Sequence, residues 1–278
     1  MPAARQNKSD VPMASSVIVI PARLAATRLP GKPMALIGDV PMVVQVMRRA
    51  MEAEIAPVVV ACDAEEIADA VCAHGGRAIL TRPDHPSGSD RVWEAVGKLE
   101  EASSRNRVGG GDTDRLSPAT HHLPHATYFD IIINLQGDLP TLDPALIRSL
   151  LTTISRPGVD IATLAAPITR SEEHTNPAVV KAVIAADGRA LYFTRATAPY
   201  GDGPRYHHIG IYAYRRDALA RFVSLPPSPL EKREKLEQLR ALEDGLHMAV
   251  AVVDTVPLGV DTPEDLARAR MIMKREGQ

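Results

Sequence analysis

Four consecutive apolar, β-branched residues at positions 17–20 constrain the fold of this chain more than any other feature. A short run of this kind predicts a strand that is buried on both faces, as in a parallel sheet covered by helices. The run ends at Pro21, and the loop after it carries Arg23, Arg28 and Lys32. Ligands of open α/β sheets bind beyond the carboxyl ends of the strands, so these cations predict a polyphosphate site there.

Strand-like and helix-like segments alternate over residues 17–166. Strands are predicted near 57–61, 78–80, 129–135 and 161–165, and helices near 41–54, 63–73, 87–99 and 144–154. The alternation is typical of an α/β fold with a three-layer, doubly wound and mostly parallel sheet. We therefore interpret residues 17–166 as a nucleotide-binding half.

The pattern changes after residue 166. A hairpin is predicted at 179–184 and 190–193, followed by a strand at 208–214. A helix is predicted at 230–244, a strand at 249–253 and a final helix from Thr262 onward. Residues 167–278 are therefore expected to form a mixed β-hairpin and helix region that completes the same sheet and carries an acceptor site.

Two segments do not fit this organisation. Residues 1–16 are polar, lack an apolar signal-peptide core, and are expected to be disordered. Residues 102–126 are rich in Ser, Arg, Gly, Thr and His, and their lack of periodicity predicts a flexible surface insertion. Its histidines lack carboxylates at matching spacing, so a metal site is not expected there.

Composition excludes several classes of protein. The net charge of −2 and the aromatic content of 4% argue against a nucleic-acid partner. Cys62 and Cys72 have no zinc-like spacing and are interpreted as small apolar residues in a reducing compartment. No apolar run approaches the length of a membrane span. We expect a soluble, cytoplasmic protein without a membrane partner.

Two aspartates are candidates for metal binding. Asp138 follows the predicted strand 129–135, which places it at the same sheet edge as Arg23. It could be an ion-pair partner of the cations, or it could hold Mg²⁺ beside a triphosphate. Asp261 precedes the predicted helix cap Thr262, and capping does not explain it. Together the two carboxylates predict a Mg²⁺ site of the kind used in nucleotidyl transfer.

Further candidates lie at the start of the third predicted helix and in the second half. Ser89 and Arg91 could meet an anion or a base, or could be a helix cap and a surface cation. Arg195, His208 and Tyr212 suit the carboxylate and hydroxyls of a sugar acid, although each could be structural. Glu237 and Gln238 fall inside the predicted helix 230–244, where solvent exposure is the default expectation.

Six ordered motifs between residues 17 and 270 carry a family resemblance. They occupy residues 20–33, 84–91, 136–138, 208–214, 236–240 and 259–266, and include Pro-Gly-Lys-Pro, Ser-Gly-Ser-Asp-Arg, Gln-Gly-Asp and Gly-Val-Asp-Thr-Pro-Glu-Asp. In this order they resemble the 3-deoxy-manno-octulosonate (KDO) cytidylyltransferases.

The resemblance implies a Mg²⁺-dependent nucleotidyltransferase of the nucleotide-diphospho-sugar transferase fold, with CTP and KDO as substrates. It implies CMP-KDO and pyrophosphate as products, a role in lipopolysaccharide biosynthesis, and a homodimer whose contact involves the second half. The implied catalytic residues are Arg23, Arg28, Lys32, Asp138 and Asp261, with Asp138 and Asp261 as metal ligands. The implied nucleotide-binding residues are Ala22, Arg23, Lys32, Ser89, Arg91 and Gln136. The implied KDO-binding residues are Arg195, His208, Tyr212, Glu237 and Gln238.

This chain departs from the family pattern in three motifs. Leu139 replaces a Glu, Ser89 replaces a Thr, and the loop after Arg195 is altered. A cytidylyltransferase for another α-keto sugar acid (8-amino-KDO or sialic acid) or a nucleotide-sensing protein of the same fold are the alternatives. A nicotinamide dehydrogenase is disfavoured because no Gly-x-Gly-x-x-Gly follows a predicted strand.

Overall fold

The strand predicted at residues 17–20 lies near the middle of a large sheet. The computed structural model of the chain describes residues 15–25, 28–107 and 128–276. Most of the predicted disordered N-terminal segment and most of the predicted insertion therefore lie outside the described residues. The first six residues of that insertion, 102–107, are helical instead of irregular, because the helix before it continues to Arg107.

The described residues form eleven strands and nine α-helices. The strands are β1 (Ser16–Ala22), β2 (Leu36–Ile37), β3 (Val40–Pro41), β4 (Val58–Cys62), β5 (Ala78–Leu80), β6 (Ile131–Asn134), β7 (Ile161–Pro167), β8 (Lys181–Ile184), β9 (Ala190–Thr194), β10 (Tyr206–Arg215) and β11 (Met248–Val252). The helices are α1 (Met42–Met51), α2 (Glu65–Ala73), α3 (Gly88–Arg107), α4 (Pro144–Ile154), α5 (Ser171–Thr175), α6 (Arg216–Ser224), α7 (Pro229–Glu234), α8 (Leu239–Glu243) and α9 (Pro263–Glu276).

Nine of the strands make one sheet, whose main path is β11-β7-β10-β6-β1-β4-β5. The neighbours along this path are parallel, except that β10 runs antiparallel to both β6 and β7. The β8–β9 hairpin joins the sheet through β10 at Tyr206 and His207. The predicted mostly parallel sheet is thus confirmed, with one reversed strand near its centre.

Alternate residues of β1 face two separate hydrophobic cores, as the period of two in a strand requires. Ile18 and Ile20 pack in the core formed with α1, α2 and α4. Val17 and Val19 pack in the opposite core, formed with α3, α6 and α8. All four side chains are fully buried. The predicted three-layer arrangement is therefore confirmed.

Helix α9 forms a smaller third cluster with β2 and the first residue of α1. Its members are Ile37, Met42, Val260, Leu266 and Ala269. The Thr262 hydroxyl accepts a hydrogen bond from the Asp265 amide at 3.2 Å, which confirms Thr262 as the predicted cap of this helix. The cluster anchors the loop that carries Asp261 beside the sheet.

The predicted helix over 230–244 is wrong in its middle. Lys235 adopts a left-handed conformation (φ 56°) and ends α7, and α8 begins only at Leu239. Glu237 and Gln238 therefore lie in the turn between α7 and α8. Gln238 is only 6% exposed there. The expectation that both are solvated is wrong for the same reason. Helix α6 was not predicted from the sequence.

No described helix is long and apolar enough to cross a membrane.

A pair of glycine substitutions tests how tightly the sheet edge is packed. A Cβ at Gly137 would lie 3.0 Å from the Pro21 carbonyl oxygen, whereas a Cβ at Gly97 would meet nothing within 4 Å. We expect Gly137→Ala to lower the free energy of unfolding by about 1–3 kcal/mol. Gly97→Ala, inside α3, should raise it by roughly 0.5–1 kcal/mol. Urea unfolding measures both, and equal effects of the two variants would contradict the close packing.

Candidate active site

The carboxyl ends of β1 and β6 open into a cavity of about 350 Å³. Most of its lining comes from the loop after β1 and from the Gln136–Asp138 loop after β6, as expected for the ligand edge of an α/β sheet. The lining includes Ala22, Arg23, Arg28, Lys32, Gln136, Asp138 and Asp261. The structure thus brings together all five residues predicted to be catalytic.

Lys32 lies between the two predicted metal-binding carboxylates. Its ammonium nitrogen is 2.8 Å from Asp138 Oδ2 and 3.0 Å from Asp261 Oδ1. Arg28 reaches the other oxygen of Asp261 at 3.0 Å. Burial alone would lower the pKa of Lys32, but the charges and hydrogen bonds of Asp138 and Asp261 outweigh burial and raise it. Lys32 is therefore a full cation at neutral pH.

Local backbone structure brings these side chains into contact. Gly31 adopts a left-handed conformation (φ 66°) and directs the chain into a short 3₁₀ turn, Lys32–Met34. The Val260 amide donates to the Asp138 carbonyl oxygen at 2.9 Å, which ties the Asp138 loop directly to the Asp261 loop. Asp265, in the first turn of α9, accepts from the Asp261 amide at 3.3 Å. The two carboxylates are thus positioned by backbone bonds as well as by Lys32.

A second cavity, of about 170 Å³, adjoins the first and shares Pro21, Ala22, Arg23 and Gln136 with it. Arg91 is nearly buried in its wall, where it donates to the Thr81 hydroxyl at 2.6 Å and lies 3.4 Å from the Asp63 carboxylate. Asp63 also accepts from the Leu24 amide at 3.0 Å. Asp63 thus fixes both the loop after β1 and the Arg91 side chain.

Sequence reasoning did not single out Asp63 or Thr81. A signal for Asp63 was present, because it directly follows a buried strand, β4, just as Asp138 closely follows β6. Thr81 follows β5 in the same way. The rule that placed Asp138 at the ligand edge therefore applies to both residues.

The Ser89 hydroxyl is directed toward Glu237, a predicted KDO-binding residue. A chain of hydrogen bonds runs from Gln136 to Asn134 (3.1 Å), from Asn134 to Ser89 (3.5 Å) and from Ser89 to Glu237 (3.2 Å). Each amide or hydroxyl donates to the next member, so the Glu237 carboxylate is the final acceptor. Burial raises the pKa of Glu237. Ser89 therefore links predicted nucleotide-binding Gln136 to predicted KDO-binding Glu237.

His208, Tyr212 and Gln238 form a cluster beside that chain. The His208 and Tyr212 rings are 5.7 Å apart, and the Gln238 amide nitrogen is 3.5 Å from His208 Nδ1. The Thr163 hydroxyl donates to the Ile211 carbonyl at 2.9 Å and lies 3.0 Å from His208 Nε2. Nε2 is therefore the donor to Thr163, and Nδ1 accepts from Gln238.

The Arg195 side chain is hydrogen-bonded to backbone carbonyl groups. Its guanidinium donates to the carbonyl oxygens of Glu234 (2.9 Å), Pro177 (2.9 Å) and Lys235 (3.5 Å). The Glu234 carboxylate in turn accepts from the Arg195 amide and from the Thr194 hydroxyl. These contacts fasten the end of β9 to the turn between α7 and α8, which favours the structural role for Arg195.

The buried ring of His208 predicts a specific loss of stability in acid. Burial lowers its pKa to about 3, whereas an unfolded histidine titrates at about 6.5. Below pH 6.5 the unfolded chain therefore binds one more proton at this residue, and the folded state loses stability as the pH falls. Between pH 7 and pH 5 the loss from this group is about 2 kcal/mol. Urea unfolding at both pH values should show a smaller loss in His208→Gln, and equal losses in the two proteins would contradict the assignment.

Comparison with known proteins places the chain in a family. The cytidylyltransferase family model matches residues 17–109 and 110–249. The 3-deoxy-manno-octulosonate cytidylyltransferase of Rhodospirillum centenum is 60% identical over 262 residues, covering 92% of this chain and 93% of the relative. The enzyme of the same name from Parvibaculum lavamentivorans is also 60% identical, covering 93% of each chain.

Solved structures agree with this assignment. A CMP:2-keto-3-deoxy-manno-octonic acid synthetase complexed with CTP has a TM-score of 0.81 and 38% identity, covering 95% of this chain and 100% of that chain. A 4-diphosphocytidyl-2C-methyl-D-erythritol synthase from Anaerococcus prevotii shares the fold, with a TM-score of 0.57 and 12% identity over 94% of this chain and 99% of that chain. The chain therefore belongs to the 3-deoxy-manno-octulosonate cytidylyltransferase family.

Proposed function

We propose that this enzyme transfers CMP from CTP to the anomeric hydroxyl of KDO, which yields CMP-KDO and pyrophosphate for lipopolysaccharide biosynthesis. The observation that carries the proposal is the Lys32 ammonium held between Asp138 and Asp261 at the ligand edge of the sheet. Related enzymes that are 60% identical over most of their length are named for this activity, which favours KDO over other α-keto sugar acids.

The cations of the larger cavity suit the triphosphate of CTP. Arg23, Arg28 and Lys32 line one cavity, and guanidinium and ammonium groups bind phosphate oxygens strongly. The smaller cavity adjoins it through Arg23 and Gln136, which suits the cytidine end of the nucleotide. We therefore assign Ala22, Arg91 and Gln136 to the nucleoside side.

The two carboxylates fit a divalent cation. Lys32 already places one positive charge between Asp138 and Asp261, so the position favours a cation. Mg²⁺ binds through one or two carboxylates together with phosphate oxygens, which is the donor set that Asp138, Asp261 and a bound triphosphate would supply. When bound, Mg²⁺ would supply charge stabilisation at the α-phosphate.

The chemical step is a direct displacement at the α-phosphorus. A bond forms between the KDO anomeric oxygen and phosphorus while the bond from phosphorus to the pyrophosphate oxygen breaks, and the proton of the anomeric hydroxyl is released to water. Arg23, Arg28 and Lys32 offset the charge that grows on the pyrophosphate. His208, Tyr212, Glu237 and Gln238 hold KDO, and the neutral His208 ring accepts from the Gln238 amide and so helps to position it. Catalysis thus depends on positioning and on charge, without an enzyme nucleophile.

The proposal also includes the oligomeric state of the enzyme and its location in the cell. We assign the homodimer contact to residues 167–278 and the reaction to the cytoplasm. Family membership supports both assignments.

Asp138→Asn tests the carboxylate pair. The amide keeps the size of the side chain but removes its charge, so kcat for pyrophosphate release should fall at least about 100-fold. Lys32 keeps Asp261 as a partner, so the melting temperature should change little. Asp217→Asn, at an exposed position in the first turn of α6, is the control and should keep kcat within about twofold. Near-normal turnover of Asp138→Asn would contradict the proposed site.

Lys32→Met tests the cation site without turnover. Removing the ammonium leaves two carboxylates facing one another, so Mn²⁺ should bind the nucleotide-free protein at least about tenfold more tightly than it binds the unmodified protein. Electron paramagnetic resonance of free Mn²⁺ measures the affinity. Lys274→Met, at an exposed position in the last turn of α9, should leave it unchanged. Unchanged affinity in Lys32→Met would show that Asp138 and Asp261 do not form the metal site.

A further inference from the structure

Two hydrogen bonds join the loops that carry Asp138 and Asp261. The Val260 amide, next to Asp261, donates to the carbonyl oxygen of Asp138 at 2.9 Å. The Leu258 amide donates to the Thr141 hydroxyl at 3.2 Å. This second bond lies three residues after Asp138 and three residues before Asp261. Of the two bonds, the one to Thr141 depends on a side chain and can therefore be removed by substitution.

A buried leucine stands between the two bonded positions in the chain. Leu139 is 8% exposed and packs in the hydrophobic core shared with α1 and α4. A Cβ at Gly259 would lie 3.9 Å from Leu139 Cδ2, which is ordinary van der Waals contact. The Leu142 amide donates to the Leu139 carbonyl oxygen at 3.1 Å and closes the turn that contains Thr141. Leu139, where the family pattern has a Glu, is therefore used for packing against the opposite loop.

The bond to Thr141 lies beside a cavity other than the active site. Thr141, Leu258 and Gly259 line this cavity of about 450 Å³, whereas Asp138 and Asp261 line the active-site cavity. Thr141 is only half-buried, so water from the cavity can reach the Leu258 amide if the hydroxyl is removed. Loss of the hydroxyl should therefore loosen the loop without leaving a buried amide unsatisfied, and the chain should remain folded.

We propose that Thr141 is a positioning residue for the transfer of CMP, because its hydroxyl holds the loop of Asp261 in place relative to Asp138. Lys32 also joins the two carboxylates, but in the proposed function its ammonium binds phosphate oxygens as well. The bonds between the loops remain available when the nucleotide binds. Small displacements of groups around a reacting centre lower the rate strongly. The inference rests on the proposed roles of Asp138 and Asp261.

Thr141→Val removes the acceptor and keeps the shape of the side chain. We expect kcat for pyrophosphate release with CTP and KDO to fall between about fivefold and twentyfold. Because Thr141 contacts neither substrate in the proposed site, the KM for each should stay within about twofold. Thr141→Ser keeps the hydroxyl and should retain kcat within about twofold. Thr152→Val, at an exposed position in α4, is the matched control and should leave kcat unchanged.

Amide hydrogen exchange reports on the loop itself, without nucleotide or metal. In Thr141→Val the Leu258 amide loses its acceptor, and the neighbouring Val260 amide is held by one bond to the Asp138 loop instead of two. We expect both amides to exchange at least about fivefold faster than in the unmodified protein. Thr141→Ser and Thr152→Val should keep the exchange rates of the unmodified protein. Nuclear magnetic resonance measures each amide separately.

The combination of kcat and exchange decides the role of Thr141. Faster exchange with normal kcat in Thr141→Val would overturn the proposal, because the bond would then serve stability alone. Unchanged exchange, or a loss of kcat that Thr141→Ser shares, would also overturn it. Failure of the proposed function would appear differently, as absence of pyrophosphate release from CTP and KDO in the unmodified protein. Thermal unfolding of each variant confirms that it is folded.

Discussion

The ion cluster of Lys32, Asp138 and Asp261 is the interaction on which the arrangement of the site depends. It joins three segments that are far apart in the chain, with separations of 106 and 229 residues between the bonded partners. One ammonium therefore joins the loop after β1, the loop after β6 and the start of α9, alongside the backbone bond from Val260 to Asp138. The cluster also balances charge within the cavity, since Lys32 lies between two carboxylates and Arg28 contacts one of them.

Much of this architecture was predictable because it follows from local patterns. The fully apolar residues 17–20 required burial on both faces, and only a sheet between two helical layers provides it. The carboxyl-edge rule then placed Asp138 near Arg23 before any contact was known. The Thr262 cap was predictable because capping depends on a few adjacent residues. The meeting of Asp138 with Asp261 was only a hypothesis, since it depends on α9 docking against β2 and α1.

The unpredicted features depend on tertiary contacts. The break at Lys235 needs a left-handed residue where periodicity favours a continuous helix, and Glu234 compensates by bonding Thr194 and Arg195. This turn buries Gln238, which sequence reasoning left in solvent. Asp63 was overlooked because an acidic residue at a helix start already has a local explanation. In each case the decisive partner lies far away in the sequence.

The reversal of β10 has a consequence for how such a site can diversify. Tyr212 pairs with Asn134 at the end of β6, so the residues that precede Tyr212 extend beyond the end of β6 while they remain paired with β7. His208 is one of them, and it reaches the ligand edge from the beginning of its strand, whereas Asp138 reaches it just after the end of its own strand. In the proposed function, the first half of β10 serves the acceptor and the loops after β1 and β6 serve the nucleotide. The two specificities then depend on separate elements, so that one can change in evolution without the other.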